Sequence, residues 1–336
     1  MFTTKKYPEK VIDFYCLSDI IKPNTKRVIS KVYFENYINK DKELAISVKE
    51  IVTGRKTFFI TPDTSLIPET YLEDFFALGY ECYFVENDKR VKLQKKIDII
   101  LSLFKDVILF FNLDFRIEDI EWSTYIRNLI EKYNNRTSIG VLYTRRQKKD
   151  EKAKLEQKYL YEMGLGCGCI QLEYQKRQNF EIIEKILFAN QAQGRRKNIR
   201  AICTPACTYS WHQGPIDISG TLQDISLSHF TLISPAGKLN IQLYEKVNDF
   251  HFNIRGFLFR SDAVLIMERD LGLDKLYVFS FVSSTGANGL DPRIKQLFVP
   301  NIYKLMSSNC KNLLDQLYLK VDDLTAKNPI EDLPEI

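Results

Sequence analysis

Long hydrophobic runs are missing from this 336-residue chain, and no stretch reaches the roughly 20 apolar residues that a membrane-spanning helix needs. The opening Met1-Phe2-Thr3-Thr4-Lys5-Lys6 lacks the apolar stretch of a secretory signal. Together these absences predict a cytoplasmic protein without membrane insertion. Histidine is scarce: His212, His229 and His251 are the only three, and no two stand at the helical spacing of a ligand pair. No Gly-x-Gly-x-x-Gly follows the first strand and no Walker sequence occurs, which removes the usual sequence support for a dinucleotide or P-loop enzyme. Gly164-Leu165-Gly166-Cys167-Gly168 is glycine-rich but precedes the last strand of its unit, the wrong side for cradling phosphate at a helix N-terminus. A large excess of one charge is absent too. Forty-eight Lys and Arg against 43 Asp and Glu leave +5, weaker than a dedicated nucleic-acid binder carries. No nucleophile, base and orienting group stand out together, so the reading is of a non-enzyme.

What is present fits a soluble globular chain. The apolar fraction of 45% and charged fraction of 27% are ordinary, and the length suggests two domains. Seven cysteines, an odd number, fit free thiols in a reducing compartment. Cys167-Gly168-Cys169 and Cys203-x3-Cys207 are either a zinc-binding set or small apolar residues of strands. The basic stretch from Arg145 to Lys158 contains Asp150, Glu151 and Glu156, the pattern of a solvated helix face rather than of a nucleic-acid contact.

Residues 54–192 alternate short apolar strands with amphipathic helices. Strands are predicted over 57–60, 82–85, 107–111, 139–143 and 169–172, and helices over 68–78, 93–104, 122–133, 152–163 and 180–190. The uninterrupted Val107-Ile108-Leu109-Phe110-Phe111 suits a central parallel strand covered on both faces. Five strand–helix units predict a doubly wound parallel sheet. That pattern resembles a response-regulator receiver domain. Receivers phosphorylate an Asp at the end of the third strand, where Phe111 and Asn112 stand here, with Asp114 a little late. Only Asp63 follows the first strand, where the family offers an acidic pair, while Thr144 matches the family's hydroxyl after the fourth strand. The resemblance therefore implies a receiver-like domain without phosphotransfer.

Residues 1–53 are a segment of unclear fold, with a possible helix over 25–39 and a helix or alternating strand over 44–52. After Arg200 the texture changes to alternation and β-branched residues. Strands are predicted over 201–211, 221–233, 238–243, 250–260, 263–268 and 276–282, followed by a closing helix over 301–319 and a loose acidic tail over 321–336. Six strands with short turns favour a small antiparallel barrel over 193–320.

The most informative residues lie at the seam. Arg195-Arg196-Lys197-Asn198-Ile199-Arg200 puts positive charge on a short connector with no carboxylate beside it. Further on, Asp224-Ile225-Ser226 puts a carboxylate and a hydroxyl on alternate positions of a predicted strand, hence on one face. Arginine forks onto phosphate and stacks on bases, so this set suits a small anionic nucleotide. These residues resemble the PilZ domain, the bacterial receptor module for cyclic di-GMP. The family's RxxxR motif falls on Arg196 and Arg200, with Arg195 before it, and its D/N-x-S-x-x-G motif falls on Asp224, Ser226 and His229. The resemblance covers roughly residues 194–310, and His229 replaces the family's glycine. It implies a barrel followed by a helix. It also implies that Arg195, Arg196 and Arg200 wrap the ligand, Asp224 reads a guanine edge and Ser226 completes the polar contacts. His229 would obstruct the ligand, stack on a guanine, or simply pack on the barrel. The expected ligand is cyclic di-GMP, with a further protein partner and no cofactor. The alternative is a PilZ-like adaptor that no longer binds nucleotide.

Overall fold

The computed structural model describes residues 51–327, apart from residues 89, 134–136, 145–148, 195 and 196. The expectations for residues 1–50, and for the end of the tail, fall outside the described residues.

The first unit is a five-stranded, wholly parallel sheet in the order β2-β1-β3-β4-β5. Its strands are β1 (Thr57–Ile60), β2 (Cys82–Val85), β3 (Val107–Asn112), β4 (Thr137–Tyr143) and β5 (Cys169–Gln171). The helices between and after them are α1 (Thr70–Ala77), α2 (Leu93–Leu103), α3 (Trp122–Tyr133), α4 (Lys149–Glu156) and α5 (Lys176–Ala189). This is the flavodoxin-like strand order. β3 takes the centre because all six of its residues are buried and all but Asn112, at its end, are apolar. The helix predicted over 152–163 is divided: α4 stops at Glu156 and a π-helical turn, Gln157–Glu162, carries Tyr159 into the core.

The second unit is a six-stranded antiparallel barrel. Its strands are β7 (Cys207–Gln213), β8 (Ile216–Ile225), β9 (His229–Pro235), β10 (Lys246–Ile254), β11 (Phe257–Asp270) and β12 (Asp274–Val282). They pair around as β8-β7-β10-β11-β12-β9, and the β8–β9 pairing closes the ring. A two-residue strand β6 (Ala201–Ile202) lies along the end of β8. Alternate residues point inward and build an aromatic core, in which Phe230 stacks on Phe279 at 5.0 Å and meets Phe252 edge-on at 4.9 Å.

Barrel then helix is the architecture implied by the resemblance, but several strand limits differ from the prediction. The strand expected over 201–211 is broken by a turn at 203–206, and the one expected over 221–233 is the β8–β9 hairpin. The strand expected over 250–260 is also a hairpin, with Arg255 (φ 52°) and Gly256 (φ 96°) both left-handed at its tip. No strand forms over 238–243, where buried Leu239 and Ile241 belong to a loop.

The closing helix α6 (Pro292–Lys327) is much longer than the predicted 301–319, contains Pro300, and continues into the stretch expected to be loose. It packs on both units. Phe298 packs tilted against Phe259 of the barrel at 5.0 Å, while Tyr303 meets Phe76 of α1 at 6.0 Å and its hydroxyl donates to the Cys82 carbonyl at 3.0 Å. Further along, Lys96 of α2 lies over the Tyr318 ring at 5.7 Å. Parallel sheet, barrel and α6 thus share one continuous apolar core. No described helix is long and apolar enough to cross a membrane.

Candidate functional site

The connector between α5 and β6 is fastened to the first unit. Gln193 bridges to Tyr80, and its Nε2 donates to the Leu78 carbonyl at 2.6 Å. Gly79 makes that approach possible. It sits at φ +91°, and a methyl group there would lie 2.8 Å from Gln193 Nε2 and 3.0 Å from the Lys197 carbonyl. Replacing Gly79 with alanine is therefore expected to cost about 1–3 kcal/mol in denaturant unfolding. It should also make the bonds after residues 193–200 cleave faster in limited proteolysis. An unchanged unfolding midpoint and cleavage rate would show that the fastening is not needed.

Arg195 and Arg196 lie outside the described residues. Arg200 is half-buried and faces the carboxylate of Asp224, with Nη1 3.8 Å from Oδ1. Thr231 Oγ1 on β9 donates to the same oxygen at 3.1 Å. A β-bulge explains why an acid at this place is outside the barrel. Leu222 pairs with Leu232 but Asp224 pairs with Thr231, so one residue of β8 is extra. Leu222 and Ile225 are buried, whereas the intervening Gln223 and Asp224 both face outward. Without the bulge, Asp224 would follow Leu222 into the aromatic core.

Ser226 differs from its expected position. β8 ends at Ile225, so Ser226 lies in the hairpin turn and does not share a strand face with Asp224. It is buried, and its hydroxyl is engaged within the turn, donating to the His229 carbonyl at 3.1 Å and accepting from the His229 N–H at 3.0 Å. This is the local side-chain-to-backbone bonding that lets serine close turns. Its evident work is to set the backbone of His229.

His229 opens β9 and is absent from the residues with positive φ, so its backbone does not require glycine. Asn198 Nδ2 donates to Ser228 Oγ at 2.8 Å, and Ser228 Oγ lies 2.6 Å from His229 Nδ1. The serine oxygen accepts from Asn198 and bonds Nδ1 in the direction the imidazole tautomer sets. Burial is the main cause holding the imidazole below its usual pKa, Arg200 adds to it, and Asp224 opposes. The ring is neutral near pH 7 and stands beside a guanidinium and a carboxylate.

Asn198, Ser228 and Thr231 were not singled out in the sequence. The first two lie inside the two quoted motifs, at positions with no motif letter, and their hydrogen bond joins the connector to the barrel. Beside the cluster is a cavity of about 370 Å³ between connector, first unit and α6. Arg200, Ile202, Tyr83, Glu81, Met306 and Asn309 are among its lining residues. Arg55 also lines it but is held by the lower edge of the sheet, Nε donating to the Asp106 carbonyl at 3.0 Å and Nη2 to Ser138 Oγ at 2.8 Å.

The opposite edge of the parallel sheet, where a receiver does its chemistry, is engaged locally. Asp114 Oδ2 accepts from the backbone N–H and the hydroxyl of Thr144. Asn112 Nδ2 donates to the Thr61 carbonyl at 2.9 Å, and Asp63 caps its own turn by accepting from Ser65. β5 is followed by Leu172 and Glu173, not by a lysine. Among the described residues no group of three or more His, Cys, Asp or Glu could hold a metal ion.

No protein-family model and no curated protein sequence matches this chain. Solved structures do. YcgR of Escherichia coli in complex with c-di-GMP is 16% identical over 39% of this chain and 50% of its own, with a TM-score of 0.28. The inhibitor of motility MotI/DgrA of Bacillus subtilis is 15% identical over 36% and 52%, with a TM-score of 0.26. The MrkH–c-di-GMP complex of K. pneumonia is 15% identical over 40% and 54%, with a TM-score of 0.25. The chain spans about half the length of each. At these TM-scores the functional reading rests on this chain's own residues.

Proposed function

We propose that this chain is a receptor for cyclic di-GMP that takes the nucleotide at the seam between connector and barrel. The observation that carries the reading is the meeting of Arg200 and Asp224 across that seam at 3.8 Å, from motifs far apart in the chain. A guanidinium beside a carboxylate offers one group for phosphate oxygens or a base face and another for the paired donors of a guanine edge. Arg195 and Arg196 belong to the same proposal on sequence grounds. Ser226 enters as a positioning residue, while Asn198, Ser228 and His229 form the rim. No bond is made or broken, so no general acid or base is required.

The output proposed is a change in how the connector lies on the barrel, read by a protein partner. β6 links the site to α6 directly, because Asn309 Nδ2 donates to the Ile202 carbonyl at 2.8 Å. Ligand that draws Arg200 outward pulls on a strand that α6 already holds. Isothermal titration of the full chain with cyclic di-GMP tests the proposal. Saturable binding is expected at micromolar protein, and no heat with no saturation would overturn it.

A second reading has its own observation. The imidazole of His229, bonded through Ser228 to Asn198, occupies the place where the family carries glycine. In that reading the seam is closed and the chain is an adaptor that binds only protein. His229→Gly separates the two readings. If the imidazole blocks the seam, the variant should gain cyclic di-GMP binding that the parent lacks. If the ring contributes contacts, affinity should fall several-fold in the variant.

A further inference from the structure

We propose that Cys203 and Cys207 form a dithiol that peroxide converts to an intrachain disulfide. This inference is independent of nucleotide binding. The two cysteines flank the turn between β6 and β7, which closes when the Cys207 N–H donates to the Thr204 carbonyl at 2.8 Å. Both are registered on β8. The Cys203 N–H donates to the Gln223 carbonyl at 3.0 Å, and Thr208 pairs with Thr221, which sets Cys207 beside Leu222. A disulfide spans roughly 4.4–6.8 Å between Cα atoms, and the two cysteines stand at the ends of one tight turn beside neighbouring positions of β8. The two thiols interact, each being the largest influence on the other's acidity. Thr204 Oγ1 lies 3.8 Å from Cys207 Sγ.

The environment divides the labour between the two. The hydrogen bond from Cys203 is the main cause that pulls Cys207 down to about 6, against burial, with Thr204 and the nearby Arg255 helping. Cys203 is pushed up and keeps its proton. Cys203 is part-exposed and Cys207 buried beside it, so an oxidant approaches from the Cys203 side, Cys207 is the thiolate that attacks it, and Cys203 is the partner that closes the disulfide. Burial raises Cys169 to about 11 and Cys167 and Cys310 to about 12, which leaves them poor nucleophiles.

The chemistry closes on itself. The Cys207 thiolate attacks a peroxide oxygen, the O–O bond breaks, and the departing hydroxide takes the Cys203 proton and leaves as water, giving a sulfenic acid on Cys207. The Cys203 sulfur then attacks the Cys207 sulfur, the S–O bond breaks, and the hydroxide takes a proton from solvent to leave as a second water. Two thiols lose two electrons to one peroxide. The resulting bond would fasten β6 to β7 next to the Ile202–Asp224 pair.

Reduced full-length protein treated with hydrogen peroxide, alkylated in denaturant and digested with trypsin without reductant tests this. Ala201–Lys238 contains both cysteines and no internal Lys or Arg. That peptide is expected unalkylated and lighter by two hydrogens, a change reversed by dithiothreitol. In Cys203→Ser the same treatment should give no intrachain disulfide in that peptide. The inference is overturned if the parent peptide carries two alkyl groups after peroxide, or if either cysteine ends as a sulfinic acid or bonded to another cysteine.

Discussion

Replacing Glu81 with alanine is expected to destabilise the protein by about 3–5 kcal/mol, the cost of leaving one member of a buried ion pair without its partner. Lys56 is only 1% exposed, and its ammonium is held by Glu81, with the Thr53 carbonyl a distant 3.4 Å away. Glu81 also accepts from the Tyr83 hydroxyl. Removing the carboxylate leaves an ammonium and a phenol buried beside the Phe104 ring, which lies 5.5 Å from the Lys56 nitrogen. Denaturant unfolding measures the loss. The double variant Lys56→Met, Glu81→Leu should recover most of it, because a matched apolar pair removes both charges together. A loss below about 1 kcal/mol in Glu81→Ala would mean that water reaches the ammonium from the adjoining cavity.

Replacing Arg200 with alanine should have the opposite profile, with little effect on stability and a large effect on the nucleotide. The contact with Asp224 is long and a third of the Arg200 side chain is exposed, so the pair contributes about 0–1 kcal/mol to folding. A charge-assisted bond from the same guanidinium to a phosphate contributes about 1.5–3 kcal/mol, which corresponds to roughly a tenfold to 150-fold loss of cyclic di-GMP affinity. Calorimetry measures the affinity and denaturant unfolding the stability. Asp224→Ala in combination with Arg200→Ala should lose less than the sum of the two single variants, because both act on one ligand. If Arg200→Ala binds as the parent does, the nucleotide is not at this seam.

The parallel sheet was legible because its signals are local. An apolar run such as 107–111, short and rich in β-branched and aromatic residues, suits a strand covered on both sides, and the helices carry regular stripes. The barrel was legible as a barrel but not strand by strand. The β8–β9 turn is Ser226-Leu227-Ser228, whose buried Leu227 continues the apolar alternation and which has no glycine or proline to mark it. Leu239 and Ile241 alternate as a strand would, yet they plug the core from a loop. The start of α6 was missed because Pro300 reads as a boundary, whereas tertiary packing of Phe298 and Tyr303 holds the helix straight through it. At the candidate site, Arg200 and Asp224 were singled out because they fall on the RxxxR and D-x-S positions of the resemblance. Ser226 was assigned to a strand face because the end of β8 could not be seen. Asn198 and Ser228 could not be found, since each is an ordinary polar residue until the fold sets it against the other.

The long last helix has a practical corollary. The arginine-rich junction is an obvious place for trypsin to nick the backbone, and a nick there would normally release two fragments. Here the final helix clasps the α/β half through Tyr303 and Tyr318 while it caps the barrel through Phe298. A nicked protein should therefore elute from a gel-filtration column as one particle and fall into two pieces only in denaturant.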